Sequence, residues 1–125
     1  MTLLTPLFTL PIALIISLNI LGQAEREIYV GLKEGDSKKI APYFTDNVSI
    51  TLRKETGYYS KFQSEMILKD FLRNYRAIEV KQVPVKNDKQ NYRIYEFVTA
   101  SNTFRVFVQF DMVKEKVQIS ELRIE

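Results

Sequence analysis

Cysteine, histidine and tryptophan are absent from these 125 residues, and glycine occurs only four times. Without cysteine the chain forms no disulfide and has no site for a lipid anchor on an acylated thiol. Without histidine it lacks the commonest metal ligand and the one side chain that ordinarily titrates near neutral pH. A Ser-His-Asp set is excluded for the same reason. Beyond residue 24 the glycines are Gly31, Gly35 and Gly57, too few and too scattered for a phosphate-cradling loop. No metal-ligand spacing is found, so neither a metal nor any other cofactor is expected. A block of one charge sign is missing too. The net charge of +3 is spread over mixed signs, and Lys38-Lys39 and Arg53-Lys54 are isolated pairs. Nucleic-acid binding needs a clustered basic face, and none is expected here.

Charge is missing altogether from residues 1–24, whereas Glu25 to Glu125 holds all of the charged side chains. The run Ile12 to Leu21 is apolar but short, and Ser17 and Asn19 interrupt it. A membrane-spanning helix wants about 20 predominantly apolar residues. The run suits the apolar centre of a signal peptide, and Gly22-Gln23-Ala24 places small residues where a leader peptidase reads. A basic start is lacking, since only the terminal amine is positive there. The expectation is a signal peptide over residues 1–24, cut after Ala24, and a single domain over residues 25–125. The exported product would be periplasmic or secreted. An uncleaved leader would instead leave an N-terminal anchor.

A domain of this size buries enough of its own surface to fold without staples. Ile28, Tyr29 and Leu32 have helical spacing, and Gly35 supplies a left-handed stop. Asp36 or Ser37 can cap a second, short helix that buries Ile40, Tyr43 and Phe44 and that Pro42 curtails. Asp46-Asn47 reads as a turn. Val48, Ile50 and Leu52 alternate as a strand. Lys54 to Gly57 reads as a hairpin turn into a short strand at Tyr58-Tyr59.

Ser60 and Gln63 form a capping box. The helix it opens carries Ile67, Leu68, Phe71, Leu72 and Tyr75 on one stripe. Four strands follow: one from Ile78, then Tyr92–Ala100, Thr103–Met112 and Lys116–Ile124. Polar turns lie at Asn87–Asn91 and Ser101-Asn102. In the last strand the apolar phase slips between Ile119 and Leu122. A β-bulge near Ser120-Glu121 explains the slip and bends the sheet. The order is α-α-β-β-α-β-β-β-β, an α+β layer architecture with helices on one face of a bent antiparallel sheet.

This order resembles the nuclear transport factor 2-like, or cystatin-like, cone. Within that fold the chain is similar to an exported Bacteroidota family, domain of unknown function family 4783. The residues that carry the likeness are Gly35-Asp36 ahead of Ile40-Ala41 and Tyr43-Phe44, and Tyr59-Ser60-Lys61 running into Phe71. Phe104-Arg105-Val106 and the end from Ile119 to Leu122-Arg123-Ile124-Glu125 complete it. Family members often carry a histidine and a glycine after the third strand. Here that stretch is Val83-Pro84-Val85-Lys86, so any role of those groups is absent or moved. The resemblance implies the fold and export, and it names no activity.

Such a cone hosts both enzymes and plain binding domains. A pocket enzyme of isomerase or dehydratase type needs a base beside a phenol in a dry pocket. Glu96 is in phase with Ile94 and Val98, so it is a candidate for a buried base. Tyr75 and Phe71 are the candidate pocket wall. Tyr95 and Phe97 occupy the opposite phase, and if that phase is the core, Glu96 is solvated. Glu121 sits at the proposed bulge and is more simply a surface acid. No catalytic residue is assigned.

Arg93, Tyr95, Phe97 and Thr99 would share a mixed face with Arg105, Phe107, Gln109 and Asp111. Aromatic and arginine enrichment marks interface centres. Tyr95, Phe97, Arg105 and Phe107 are therefore the candidate contact for a homodimer or another protein. The leading expectation is an exported, non-enzymatic binding module for an unknown small molecule or protein. The alternatives are the pocket enzyme, with Glu96 and a tyrosine, and an adaptor tethered by an uncleaved leader.

Overall fold

A computed structural model describes the backbone of residues 9–86 and 91–125 and the side chains of residues 20–86 and 91–125. The expected order holds. Helix α1 (Thr9–Glu34) and the single turn α2 (Ser37–Ile40) lead through a 3₁₀ turn at Ala41–Tyr43. Strand β1 (Phe44–Leu52), strand β2 (Glu55–Ser60) and helix α3 (Lys61–Asn74) follow. The chain ends with β3 (Glu79–Val83), β4 (Tyr92–Val98), β5 (Thr103–Val113) and β6 (Lys116–Ile124). The turn expected at Asn87–Asn91 falls, Asn91 apart, outside the described residues.

The local stops act as their residue types dictate. Gly35 ends α1 with φ +71°, and the Asp36 N–H returns to the Gly31 carbonyl at 2.8 Å. Asp36 caps α2 by accepting the Lys38 N–H. At α3 the capping box is complete: Gln63 N–H donates to Ser60 Oγ, and Ser60 N–H donates to Gln63 Oε1, both at 3.1 Å.

The six strands form one curved sheet in the order β2-β1-β6-β5-β4-β3. Every pair is antiparallel except β1 with β6, which is parallel. That pair joins the hairpin to the meander, and α3 lies in the connection between them, as a parallel pair requires a long crossover. The bulge falls where expected. Gln109 faces Glu121 and Phe110 faces Ile119, which leaves Ser120 as the extra residue.

Two turns differ from expectation. The β1–β2 hairpin turns at Arg53-Lys54, with φ 52° and 73°, and Leu52 already pairs with Glu55. Thr56 and Gly57 therefore lie within β2. A two-residue turn with both central φ angles positive matches the twist of the flanking strands, and that fit outweighs the cost of placing Arg and Lys there. Asp46-Asn47 likewise belongs to β1, along the stretch where pairing to β6 shifts register.

The core lies between the concave sheet face and the helices. Ala24, Ile28 and Leu32 of α1, with Leu68, Phe71 and Leu72 of α3, cover Tyr95, Phe97, Phe104, Val106, Val108 and Ile119. Helix α1 runs without interruption through the proposed cut, and Ala24 is fully buried. Among the described residues no helix is long and apolar enough to cross a membrane.

Candidate functional site

A groove runs along α3, between it and the β1–β2 hairpin. It consists of two clefts of about 430 and 410 Å³ that share Leu52, Glu55 and Asp70. Clefts of a few hundred cubic ångströms are the size that holds small molecules. One cleft ends on Phe71, Asn74, Tyr75 and Arg53, the other on Ile50, Tyr59, Met66 and Ile67. The capping box fixes where α3 starts, and the helical period then turns Ile67, Phe71 and Tyr75 toward the hairpin.

The Phe71–Tyr75 end is packed ring against ring. Their ring centroids are 4.9 Å apart, and Phe104 meets both edge-on, at 5.2 Å from Phe71 and 4.9 Å from Tyr75. Phe97 lies 5.7 Å from Phe71 on the inner side. Edge-to-face contacts of this kind add to plain area burial. Above them the Arg53 guanidinium lies 5.4 Å from the Tyr75 ring centre, a cation–π distance. Glu55 and Asp70 put two carboxylates on the rim. Arg53 is carried to this end by the two-residue hairpin turn between β1 and β2.

Phe71 and Tyr75 thus stand together as pocket residues, but Glu96 is not with them. It is half-buried on the outer sheet face, opposite Lys81 on β3 and Arg105 on β5. It borders neither cleft of the groove. The phase of β4 is the alternative one: Arg93, Tyr95 and Phe97 point inward. This corrects the proposed interface group. Tyr95 and Phe97 are fully buried beneath the helices and present no surface. Arg105 and Phe107 lie on the other face, and no single face holds all four. The reason is the register, which sets Tyr95 opposite Val106 and Phe97 opposite Phe104, whereas Glu96 faces Arg105 and Ile94 faces Phe107.

On that outer face Phe107 stacks on Tyr92 at 5.4 Å, and Arg123 caps the Phe107 ring at 4.2 Å. Glu121 joins this patch through Arg123, at 3.9 Å, as a surface acid at the bulge.

Sequence reasoning overlooked a second polar centre, beneath α1. Arg93 is almost wholly buried, and its Nε–H donates to Glu25 Oε1 at 3.0 Å. Its Nη1–H donates to the Tyr92 carbonyl at 2.7 Å. The Tyr95 hydroxyl, two residues along, is buried and has no hydrogen-bond partner among the described residues. Burial first, and the nearby Glu25 carboxylate second, push that phenol well above its ordinary range, with Arg93 opposing. The available signal was an arginine in phase with two aromatic residues on one strand. Among the described residues no group of three acids stands ready to hold a metal.

The sequence model of the family described as "Domain of unknown function (DUF4783)" matches residues 25–125. No curated protein matches the chain. Among solved structures it is similar to a DUF4783 protein of Bacteroides uniformis, at 25% identity and TM-score 0.73, over 80% of this chain and 94% of that one. It is also similar to a DUF4783 protein of Bacteroides fragilis, at 22% identity and TM-score 0.71, over 78% and 92%. A cystatin-like protein of unknown function from Nostoc punctiforme shares the fold at 11% identity and TM-score 0.60, over 85% and 87%. With its curved sheet, three helices and matched family model, the chain belongs to the domain of unknown function family DUF4783, a family of nuclear transport factor 2-like, cystatin-like fold.

Proposed function

We propose that residues 25–125 form an exported, non-enzymatic binding module that holds a small amphipathic ligand in the groove between α3 and the β1–β2 hairpin. The observation that carries this reading is the groove itself: two joined clefts with an aromatic end and a charged rim. The apolar wall of Ile50, Ile67, Met66 and Phe71 suits an aliphatic or flat body. Glu55 and Asp70 suit a cationic group on it, and Arg53 over Tyr75 closes one end. Export is supported by the uncharged first 24 residues and by a family match that begins at Glu25. The compartment is then periplasmic or secreted. The isomerase or dehydratase alternative relied on Glu96, and the placement of Glu96 on the outer face removes its base.

The test is titration with dansylcadaverine, a fluorophore with an apolar ring system and an ammonium group, followed by amide shifts in NMR. Enhanced fluorescence with shifts at Leu52, Met66, Asp70 and Tyr75 supports the groove. Met66→Trp, which fills one cleft from a partly exposed position, is expected to abolish the response and leave the fold intact. Absence of binding, or shifts confined to other surfaces, overturns the reading. Tyr92, Phe107, Arg105 and Arg123 on the outer face offer a contact for a second copy of the chain. A monodisperse monomer in sedimentation velocity rules that out.

A further inference from the structure

We propose that Ile20–Ala24, the last turn and a half of the leader, occupy the concave sheet face in the uncut chain, and that the chain cut at Ala24–Glu25 presents there a site for a small aliphatic carboxylate. The proposal rests on the export reading and is independent of the groove along α3. The residues a leader peptidase would discard are core material in the intact chain. Ala24 is completely buried, and Ile20 and Leu21 pack against the core. Beside them lies a cleft of about 370 Å³ bordered by Leu21, Gly22, Glu25, Gln82, Pro84 and Arg93.

The floor under this turn is polar. Arg93 presents a guanidinium that is almost wholly buried, and Tyr95, beside it on the same face of β4, holds a buried hydroxyl with no partner among the described residues. A buried hydroxyl without a partner is rare, and each such case calls for an explanation. A ligand that arrives after processing supplies one.

The chemistry of the cut favours such a ligand. A peptidase adds water across the Ala24–Glu25 amide. The new carboxylate leaves on Ala24 with the leader, and the new ammonium stays on Glu25. Glu25 becomes the first residue of α1, where backbone N–H groups have no intrahelical acceptor and the turn frays. Its carboxylate then becomes exchangeable on Arg93. The space released is that of three apolar side chains; the Arg93 guanidinium borders the cleft beside it, and the Tyr95 phenol lies within electrostatic reach of Glu25 and Arg93. An aliphatic chain that ends in a carboxylate fills this space with its chain and replaces Glu25 with its head group. The carboxylate accepts from Arg93 and from the Tyr95 hydroxyl, a charge-assisted arrangement.

Gly22 gives the means of testing this. It stands two residues before Ala24, where the peptidase requires a small side chain, and a Cβ added there meets nothing within 4 Å. Gly22→Gln therefore blocks processing, and its Cβ has room on the helix. Wild-type protein recovered from the exporting cell and the unprocessed Gly22→Gln chain are titrated with octanoate and followed by NMR. The processed protein is expected to bind, with shifts at Arg93 Nε–H and the Tyr95 ring, and the unprocessed chain at least about tenfold more weakly. Tyr95→Phe in the processed protein is expected to lose about tenfold in affinity. Equal affinity in the two forms overturns the proposal, as does absence of binding to the processed protein. Shifts confined to the groove along α3 overturn it and leave the groove reading standing. A native mass that retains residues 1–24 overturns it as well.

Discussion

The two faces of strand β4 differ more than their compositions suggest. The inward face carries Arg93, Tyr95 and Phe97, all buried; the outward face carries Tyr92, Ile94, Glu96 and Val98, all half-exposed. Each face mixes apolar and polar groups, so polarity alone does not separate them. What separates them is cover. Helices α1 and α3 press on the inner face, where Arg93 is admitted because Glu25 reaches it. The outer face keeps its aromatic rings under arginine, as Arg123 lies over Phe107. A buried charge needs a partner within the fold, whereas a half-exposed one is satisfied by water.

The largest expected effect is at Phe97. Phe97→Ala should cost about 3–5 kcal/mol in urea unfolding, while Ile94→Ala on the outer face should cost under about 1 kcal/mol. Similar losses at both positions would erase the distinction between the faces. Glu25→Gln is next. Removing one partner from a buried ion pair is costly, but Glu25 is a quarter exposed, so in the uncut chain, where the pair is held, the discounted loss is about 1–3 kcal/mol. A double-mutant cycle with Arg93→Met should show that the two losses are coupled.

Tyr95 sharpens the comparison through pH. Its folded pKa is raised above the ordinary 10.0. Its stabilising effect is therefore complete below that value and lost as pH rises past it, because the unfolded phenol ionises while the folded one resists. Thermal unfolding should show stability falling above pH 10, and Tyr95→Phe should flatten the fall. At neutral pH, removing an unpartnered hydroxyl should be neutral, or stabilising by up to about 1 kcal/mol. The smallest effect belongs to Glu96→Gln, expected within about 0.5 kcal/mol of wild type. A large loss there would return Glu96 to the interior.

Much of the candidate groove was legible. The stripe through Ile67, Phe71 and Tyr75 follows from helical period, and Ser60 with Gln63 fixes its start. What faces that stripe was not legible. Arg53, Glu55 and Leu52 arrive through a hairpin turn made at Arg53-Lys54, and no glycine marks it. The Arg93–Glu25 pair spans 68 positions, and no local pattern records a partner at that distance.

By itself the sequence determined the element order, the stop at Gly35, the cap at Ser60 and the bulge at Ser120. These depend on backbone geometry within a few residues, which side-chain type dictates directly. Only the tertiary structure decided which face of β4 is inside, because a period of two is symmetric until a helix covers one side. It alone joined β1 in parallel to β6, and it alone carried α1 through Ala24 into the core. The charge break at Glu25 marks where the sequence changes character. The packing of Ile20, Leu21 and Ala24 shows that the fold, before any cut, runs across that mark, because a helix propagates through any residue that supplies its hydrogen bonds and a buried face.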